Sequence, residues 1–302
     1  MSLDTPDSIG RPLVADWLST EVHLPKRFHK HIFGKGGVVK KRIEYATDTQ
    51  IYRPKTVKGQ KRKDVINVRY LNESSLQALD EELQTAMTDA KKRLSPTHFV
   101  SIPVGSEEVK ANLTKFRDIC SDRIHPHKVQ FPSKLHLTIG VLKLFSDEDV
   151  QQACLCLSEF SCQIPTILGN KPLHGTLKNL RVMRGDIQFA KVVYSEFILS
   201  DESERLQNMA DRCLEFFVEK GLMEYQCGSK TVKLHCTLIN TRWNSRGPRT
   251  VDASEILSDE FELQKFGDCV LDRIELNEMQ TDKTFSAEND KRYLNVSHVS
   301  LN

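Results

Sequence analysis

No stretch of this 302-residue chain approaches the ~20 consecutive apolar residues of a membrane-spanning helix, so no membrane partner is expected. Met1–Gly10 holds Asp4, Pro6 and Asp7 and no apolar core, which excludes a secretory signal from the reading. The eight cysteines form no C-x-x-C pair and no zinc-ligand spacing. A disulfide scaffold and a structural zinc site are therefore not expected, and reduced, buried thiols of an intracellular protein are. Cys154-x-Cys156 falls in a helical pattern, where positions two apart diverge, and is read as structural. His125-Pro126-His127 has no third ligand nearby and is read as loop. Metal and cofactor are both expected to be none.

What is present is an apolar fraction of 39% beside 28% charged residues, the balance of a globular protein long enough for two cores. The net charge of +2 conceals an asymmetry. Glu21 to Tyr70 carries 14 Lys/Arg against four acids, a balance of +10, which leaves −8 for everything else. A basic module is joined to an acidic one, and basic charge at that density points to a polyanion.

The basic module has an internal order. Thr20–His23 is strand-like, Phe28–Phe33 helix-like, and Gly34-Lys35-Gly36-Gly37 interrupts before a second helical pattern through Val38, Val39, Arg42 and Ile43. Strand-like runs at Gln50–Arg53 and Val65–Tyr70 flank a basic loop, Pro54–Lys63. Leu76, Leu79, Leu83, Ala86, Met87 and Ala90 then follow helical spacing, with Asn72 as the expected cap and Pro96 past the end.

Two stretches of the acidic module repeat each other: Lys134-Leu135-His136-Leu137-Thr138-Ile139 and Lys233-Leu234-His235-Cys236-Thr237-Leu238, 99 residues apart. In an extended strand, residues two apart share a face. His136 with Thr138, and His235 with Thr237, would then face one way while Leu137 and Cys236 face the core. Side by side, two imidazoles and two hydroxyls converge. Phosphodiester cleavage needs a base for the attacking oxygen and an acid for the leaving oxygen, and histidine serves both near neutral pH. Threonine hydroxyls donate to the non-bridging oxygens. His136, Thr138, His235 and Thr237 are the candidate catalytic residues, with no metal required. Which histidine is acid and which is base is left open.

The paired motifs resemble the two-histidine phosphoesterase superfamily, which includes bacterial RNA 2′,5′-ligase-like proteins, cyclic nucleotide phosphodiesterases and the A-kinase-anchor-type domain. Phe99-Val100-Ser101-Ile102-Pro103-Val104 is similar to the first strand of that last branch. The resemblance implies a bilobal α+β fold over residues 96–302, one motif per lobe, around a cleft.

Phe28–Gly37 resembles the opening of a KH domain, with Gly34 and Gly37 at the fixed positions of its GxxG loop. That resemblance implies single-stranded RNA binding, with single-stranded DNA as the alternative, through Ile32, Gly34, Lys35, Gly36, Gly37, Lys40 and Lys41. Ile32, Val38, Ile43 and Ile51 would line the groove or the core behind it. The division expected is an N-terminal segment 1–18, a KH domain 19–72, a linking helix 73–95 and the phosphoesterase domain 96–302.

The two modules in tandem resemble subunits of a nuclear transcription-cointegrator and repair complex. The resemblance implies a helicase subunit as partner, roles in alkylation-damage responses and ribosome rescue, and a nuclear location with the cytoplasm as alternative. The reading is an RNA-binding phosphodiesterase acting on RNA ends or on 2′,3′-cyclic or 2′,5′ linkages. Its rivals are a scaffold that binds RNA or nucleotide in the same cleft without turnover, and a protein-binding adaptor.

In the acidic module helices are expected over Lys110–Ser121, over Asp147–Phe160 with Ser146 as its cap, and over Glu202–Lys220, with a short one near Ala253–Leu257. Strands are expected at Leu135–Leu144, over Ile164–Leu199 including Phe189–Tyr194, around His235, at Cys269–Leu271 and at Tyr293–Val296. The sheets would be antiparallel or mixed.

Overall fold

The structure is a computed structural model that describes residues 17–54, 64–201, 203–244, 246–258, 264–285 and 290–301. The residues before 17 and most of the basic loop, 55–63 with its Lys58–Lys63 cluster, lie outside the described residues. The chain divides into two units, Met1–Leu94 and Ser95–Asn302.

The first unit runs β1 (Leu18–His23), α1 (Lys26–Ile32), a turn at Lys35–Gly37, α2 (Val38–Thr47), β2 (Thr49–Tyr52), β3 (Val65–Tyr70) and α3 (Glu73–Arg93). Its three strands are antiparallel in the order β1-β3-β2. Ile66 and Val68 alternate inward along β3 to meet Phe28, Ile32, Ile43, Ile51, Leu79 and Leu83 in burial. Helix α3 starts where expected, because the Asn72 side chain accepts a hydrogen bond from Ser75 N at 3.0 Å. This helix, expected as a linker, contacts α1, α2, β2 and β3 and belongs to the first unit.

The second unit contains β4 (His98–Pro103), α4 (Glu107–Cys120), β5 (His136–Leu142), α5 (Asp147–Ser161), α6 (Ile164–Leu168), β6 (Leu173–Val182), β7 (Val192–Leu199), α7 (Arg205–Glu219), β8 (Cys236–Asn240), β9 (Lys265–Leu271), β10 (Arg273–Thr281) and β11 (Tyr293–Ser300). All eight strands form one sheet, β11-β10-β4-β5-β8-β7-β6-β9, antiparallel at every pairing. Each motif strand is the inner edge of its own four-strand half. The halves meet at β5 and β8 and share one apolar core with the helices. Helix α7 packs against β5, α4 against β9 and α5 against β11.

Several elements differ from the reading of the sequence. Ile164–Leu168 is a helical turn rather than a strand, because Pro165 suits its first turn and Gly169, at φ +63°, ends it. The strand expected from Phe189 begins at Val192, after a turn in which the Asp186 carboxylate accepts from Gln188 N. Ala253–Leu257 forms turns and no helix. Strand β10 was not expected. Ile274 and Leu276 are buried, but a register shift between Leu276 and Asn277 also buries the polar Asn277, which breaks the apolar alternation.

Candidate active site

Strand β5 carries His136 and Thr138 half-buried between the fully buried Leu137 and the buried Ile139. Around β8, His235 and Thr237 are half-buried while Cys236 and Leu238 are inaccessible. The expected strand around His235 starts one residue later, at Cys236. Leu137 and Cys236 are cross-strand partners. In an antiparallel pair this register sets His136 opposite Thr237 and Thr138 opposite His235, with all four side chains on the face away from the core. Among the described residues neither threonine hydroxyl has a hydrogen-bond partner, which leaves both for a ligand.

The two imidazoles are held alike. His136 Nδ1–H donates to the Lys134 carbonyl at 2.6 Å, and His235 Nδ1–H donates to the Lys233 carbonyl at 2.6 Å. Each bond fixes the neutral tautomer and turns Nε2, the free lone pair, toward the open face. Beside each ring stands a tyrosine. Tyr293 meets His136 and Tyr194 meets His235, each edge-on with centroids 5.5 Å apart. Lys134 Nζ lies 4.4 Å over the Tyr293 ring and Lys233 Nζ 5.4 Å over the Tyr194 ring. Phe99 adds a contact on the His136 side at 4.9 Å.

Burial holds the His136 imidazole down to a pKa of about 4. Its bond to the Lys134 carbonyl and the carboxylate of Glu275 act the other way, and a proton on His235 adds to the lowering. His235 is also lowered, first by burial, with the Lys233 ammonium adding to it and its carbonyl opposing. Lys134 falls to about 8, through burial and then the charge of Lys291. Both histidines are thus neutral bases at neutral pH.

The tyrosines, and a role for the lysine two residues before each histidine, were not read from the sequence. Single tyrosines in strands carry no motif, and nothing in spacing alone reveals which histidine each approaches.

In the first unit, the loop expected to hold RNA is exposed at Lys35 and Gly36. A Cβ on Gly34 would lie 2.9 Å from the Lys30 carbonyl oxygen, and Gly36 and Gly37 take φ of +77° and +63°, so glycine is required for distinct reasons. Lys41 is exposed, while the Lys40 ammonium is bound to Glu44 at 2.8 Å. Ile32 was expected among the RNA contacts. At 1% exposure it lies in the core behind the loop and cannot touch a ligand there. Ile43 and Ile51 are buried likewise, whereas Val38 is 71% exposed.

Mouse activating signal cointegrator 1 complex subunit 1 is 31% identical over 310 residues, 93% of this chain and 83% of that protein. An uncharacterized Schizosaccharomyces pombe protein is 25% identical over 187 residues, 62% of this chain and 85% of that one. A crystal structure of E. coli LigT with 3′-AMP aligns at a TM-score of 0.43 with 16% identity, covering 68% of this chain and 97% of LigT. Residues 96–301 match the AKAP7 2′5′ RNA ligase-like domain, and with both His-x-Thr motifs inside that span the chain belongs to this family.

Proposed function

We propose that the chain is an RNA-binding phosphodiesterase that needs no metal, acting on RNA ends or on 2′,3′-cyclic or 2′,5′ linkages. The observation that carries this reading is the register of Leu137 on Cys236, which turns two carbonyl-anchored imidazoles and two unengaged threonine hydroxyls onto one face. One Nε2 takes the proton of the attacking oxygen as its bond to phosphorus forms. The other, protonated, gives its proton to the leaving oxygen as that bond breaks. The hydroxyls of Thr138 and Thr237 donate to the non-bridging oxygens, whose charge builds in the transition state.

Both imidazoles are neutral at neutral pH, so one must gain a proton. A bound phosphodiester supplies the reason: its negative charge favours an imidazolium beside it and reverses the effect of burial. The substrate therefore helps to charge its own acid.

The first unit would act as a KH domain that holds single-stranded RNA. Support comes from the order β1, α1, glycine loop, α2, β2, β3, α3, from the exposed Lys35 and Gly36, and from the local charge of +10. Similarity to the mouse cointegrator subunit along most of both chains supports membership of such a complex; a helicase subunit as partner and a nuclear location are what that membership would imply.

The test is a panel of short RNAs bearing 3′,5′, 2′,5′ and 2′,3′-cyclic linkages, incubated with the full chain in EDTA. Turnover of one linkage class supports the reading and names the bond. RNA binding with no turnover of any member favours a scaffold that reads RNA ends.

A further inference from the structure

Charge in the second unit is not spread evenly. Residues 95–302 carry 25 Lys/Arg against 29 Asp/Glu, a balance of −4, yet 241–250 holds Arg242, Arg246 and Arg249 and no acid. This segment begins where β8 ends. Thr241 N donates to the Lys191 carbonyl at 3.0 Å, which continues the pairing of Asn240 with Val192. Met183 N donates in turn to the Val192 carbonyl at 3.0 Å. Arg184, Lys191 and Arg242 therefore leave the sheet side by side, at the end of β6, the start of β7 and the end of β8.

The return arm is tied to the same place. The Thr241 hydroxyl donates to the Arg249 carbonyl at 2.7 Å, Val251 N to the Ala190 carbonyl at 2.8 Å and Ala253 N to the Ile187 carbonyl at 2.8 Å. From the other side Gln130 N donates to the Leu238 carbonyl at 2.7 Å, and the buried Lys128 ammonium donates to the Pro248 carbonyl. Both arms are thus fixed to the sheet.

The cations gathered here lack counter-ions. Among the described residues Lys128, Arg184, Lys191, Arg242, Arg246 and Arg249 form no ion pair, and all but Lys128 are exposed. The acids nearby are engaged: Glu255 with Arg123, Asp186 by Gln188 N and Asp252 by Ser254 N. Phe189, at 63%, and Trp243, at 39%, stand exposed beside Lys191 and Arg242. Unpaired arginines next to exposed rings suit a single nucleic-acid strand, whose phosphates meet the cations while its bases stack. An acidic peptide would answer the charges and leave both rings bare. From His235 to Asn240 an extended strand covers about 16 Å at ~3.3 Å per residue, so a mononucleotide at the histidines stops short of Arg242 and a longer strand reaches it.

We propose that this end of the second unit is a docking surface for single-stranded RNA. The strand that leaves the cleft on the His235 side runs along β8, lays its phosphates on Arg242, Arg246 and Arg249 and stacks a base on Trp243. This rests on the phosphodiesterase reading above and extends it beyond the cleft.

The test follows a fluorescent single strand of about 12 nucleotides by anisotropy across a salt series. It uses the full chain, and the full chain carrying Lys35→Asp and Gly36→Asp to remove the share of the first unit. Turnover of a dinucleotide by the unaltered chain is measured alongside and reads the cleft alone. Changing Arg242, Arg246 and Arg249 together to alanine should weaken binding about tenfold or more in both chains. The salt slope should fall by about 2, since each single-strand phosphate contributes ~0.7. The same three changed to lysine should keep the slope, and Trp243→Ala should weaken binding about tenfold with the slope unchanged, the worth of one stacked base. Affinity and slope untouched by the alanine changes, with dinucleotide turnover present, would overturn the surface and leave the catalytic reading standing. A lowered slope with Trp243→Ala and Phe189→Ala both silent, and with polyglutamate displacing the RNA as well as unlabelled RNA does, would give the surface to an acidic peptide and also overturn it. No dinucleotide turnover, with RNA still lost on the alanine changes, would uphold the surface and sink the catalytic reading.

Discussion

Leu137 and Cys236 face each other across the two motif strands, and among the described residues theirs is the one register pair joining the halves of the eight-stranded sheet. A slip of one residue by either strand at this junction would send that strand's imidazole into the core and bring its apolar neighbour out. The register is held because Leu137 and Cys236 are both inaccessible and sit in the shared core.

Shortening Leu137 to alanine should therefore cost about 2–5 kcal/mol, the usual range for a buried leucine. The check is the urea midpoint of the full chain. Turnover should fall with it, since the cavity opens between the paired motifs. A midpoint unchanged within error would mean that the junction does not hold the halves together.

Gly140 offers the opposite perturbation. A Cβ there would lie 2.5 Å from Sδ of the buried Met223, just past the end of α7, so Gly140→Ala overfills the contact between β5 and the Met223 side chain. A loss of about 1–3 kcal/mol is expected in the same unfolding experiment.

The dependence on pH follows from burial of the histidines. His136 is lowered from 6.5 to about 4 and His235 is lowered as well. Between pH 4 and 6.5 the unfolded chain binds more protons than the folded one, so stability falls as pH drops through that window and is whole above it. For catalysis, kcat/KM reports the free protein and should be bell-shaped with its maximum on the acidic side of pH 6.5. The kcat profile, set in the complex, should lie at higher pH because bound phosphate favours the imidazolium. A kcat/KM maximum in the alkaline range would contradict this assignment. Imidazole titration by NMR gives the same values without turnover.

Lys35→Asp with Gly36→Asp should weaken single-stranded RNA binding at least about tenfold and make the salt dependence shallower, since a phosphate contact is lost. Fluorescence anisotropy between low and moderate salt measures both. Hydrolysis of a dinucleotide by the second unit should not change. RNA affinity indifferent to the substitutions would remove the glycine loop from the binding surface.

How much of this was legible beforehand depended on whether residues repeat or pattern locally. The His-x-Thr pairs were readable because the same two side chains recur at a strand's two-residue spacing, and helix starts at Asn72 and Ser146 because caps are local. The Ser146 hydroxyl accepts from Asp149 N while the Asp149 carboxylate closes a reciprocal bond. Ile32, readable as lining the groove or the core behind it, is in the core, because the pattern of a helix gives its apolar face but not whether that face meets a ligand or a core. Strand β10 and its Glu275–Asn277 pair escaped notice because a buried polar network reads locally like a surface loop. Tyr194 and Tyr293 reach the histidines only through sheet order, 41 residues before His235 and 157 after His136.

The most direct measurement compares His136→Ala, His235→Ala and the double variant with the unaltered chain on the RNA linkage it turns over, with EDTA throughout. Each single change should lower kcat by on the order of 10²–10⁴-fold, and the double variant should be little worse than either, because acid and base act on one bond. Turnover that survives either single substitution, or that EDTA abolishes in the unaltered chain, would contradict a metal-free pair of histidines at this site.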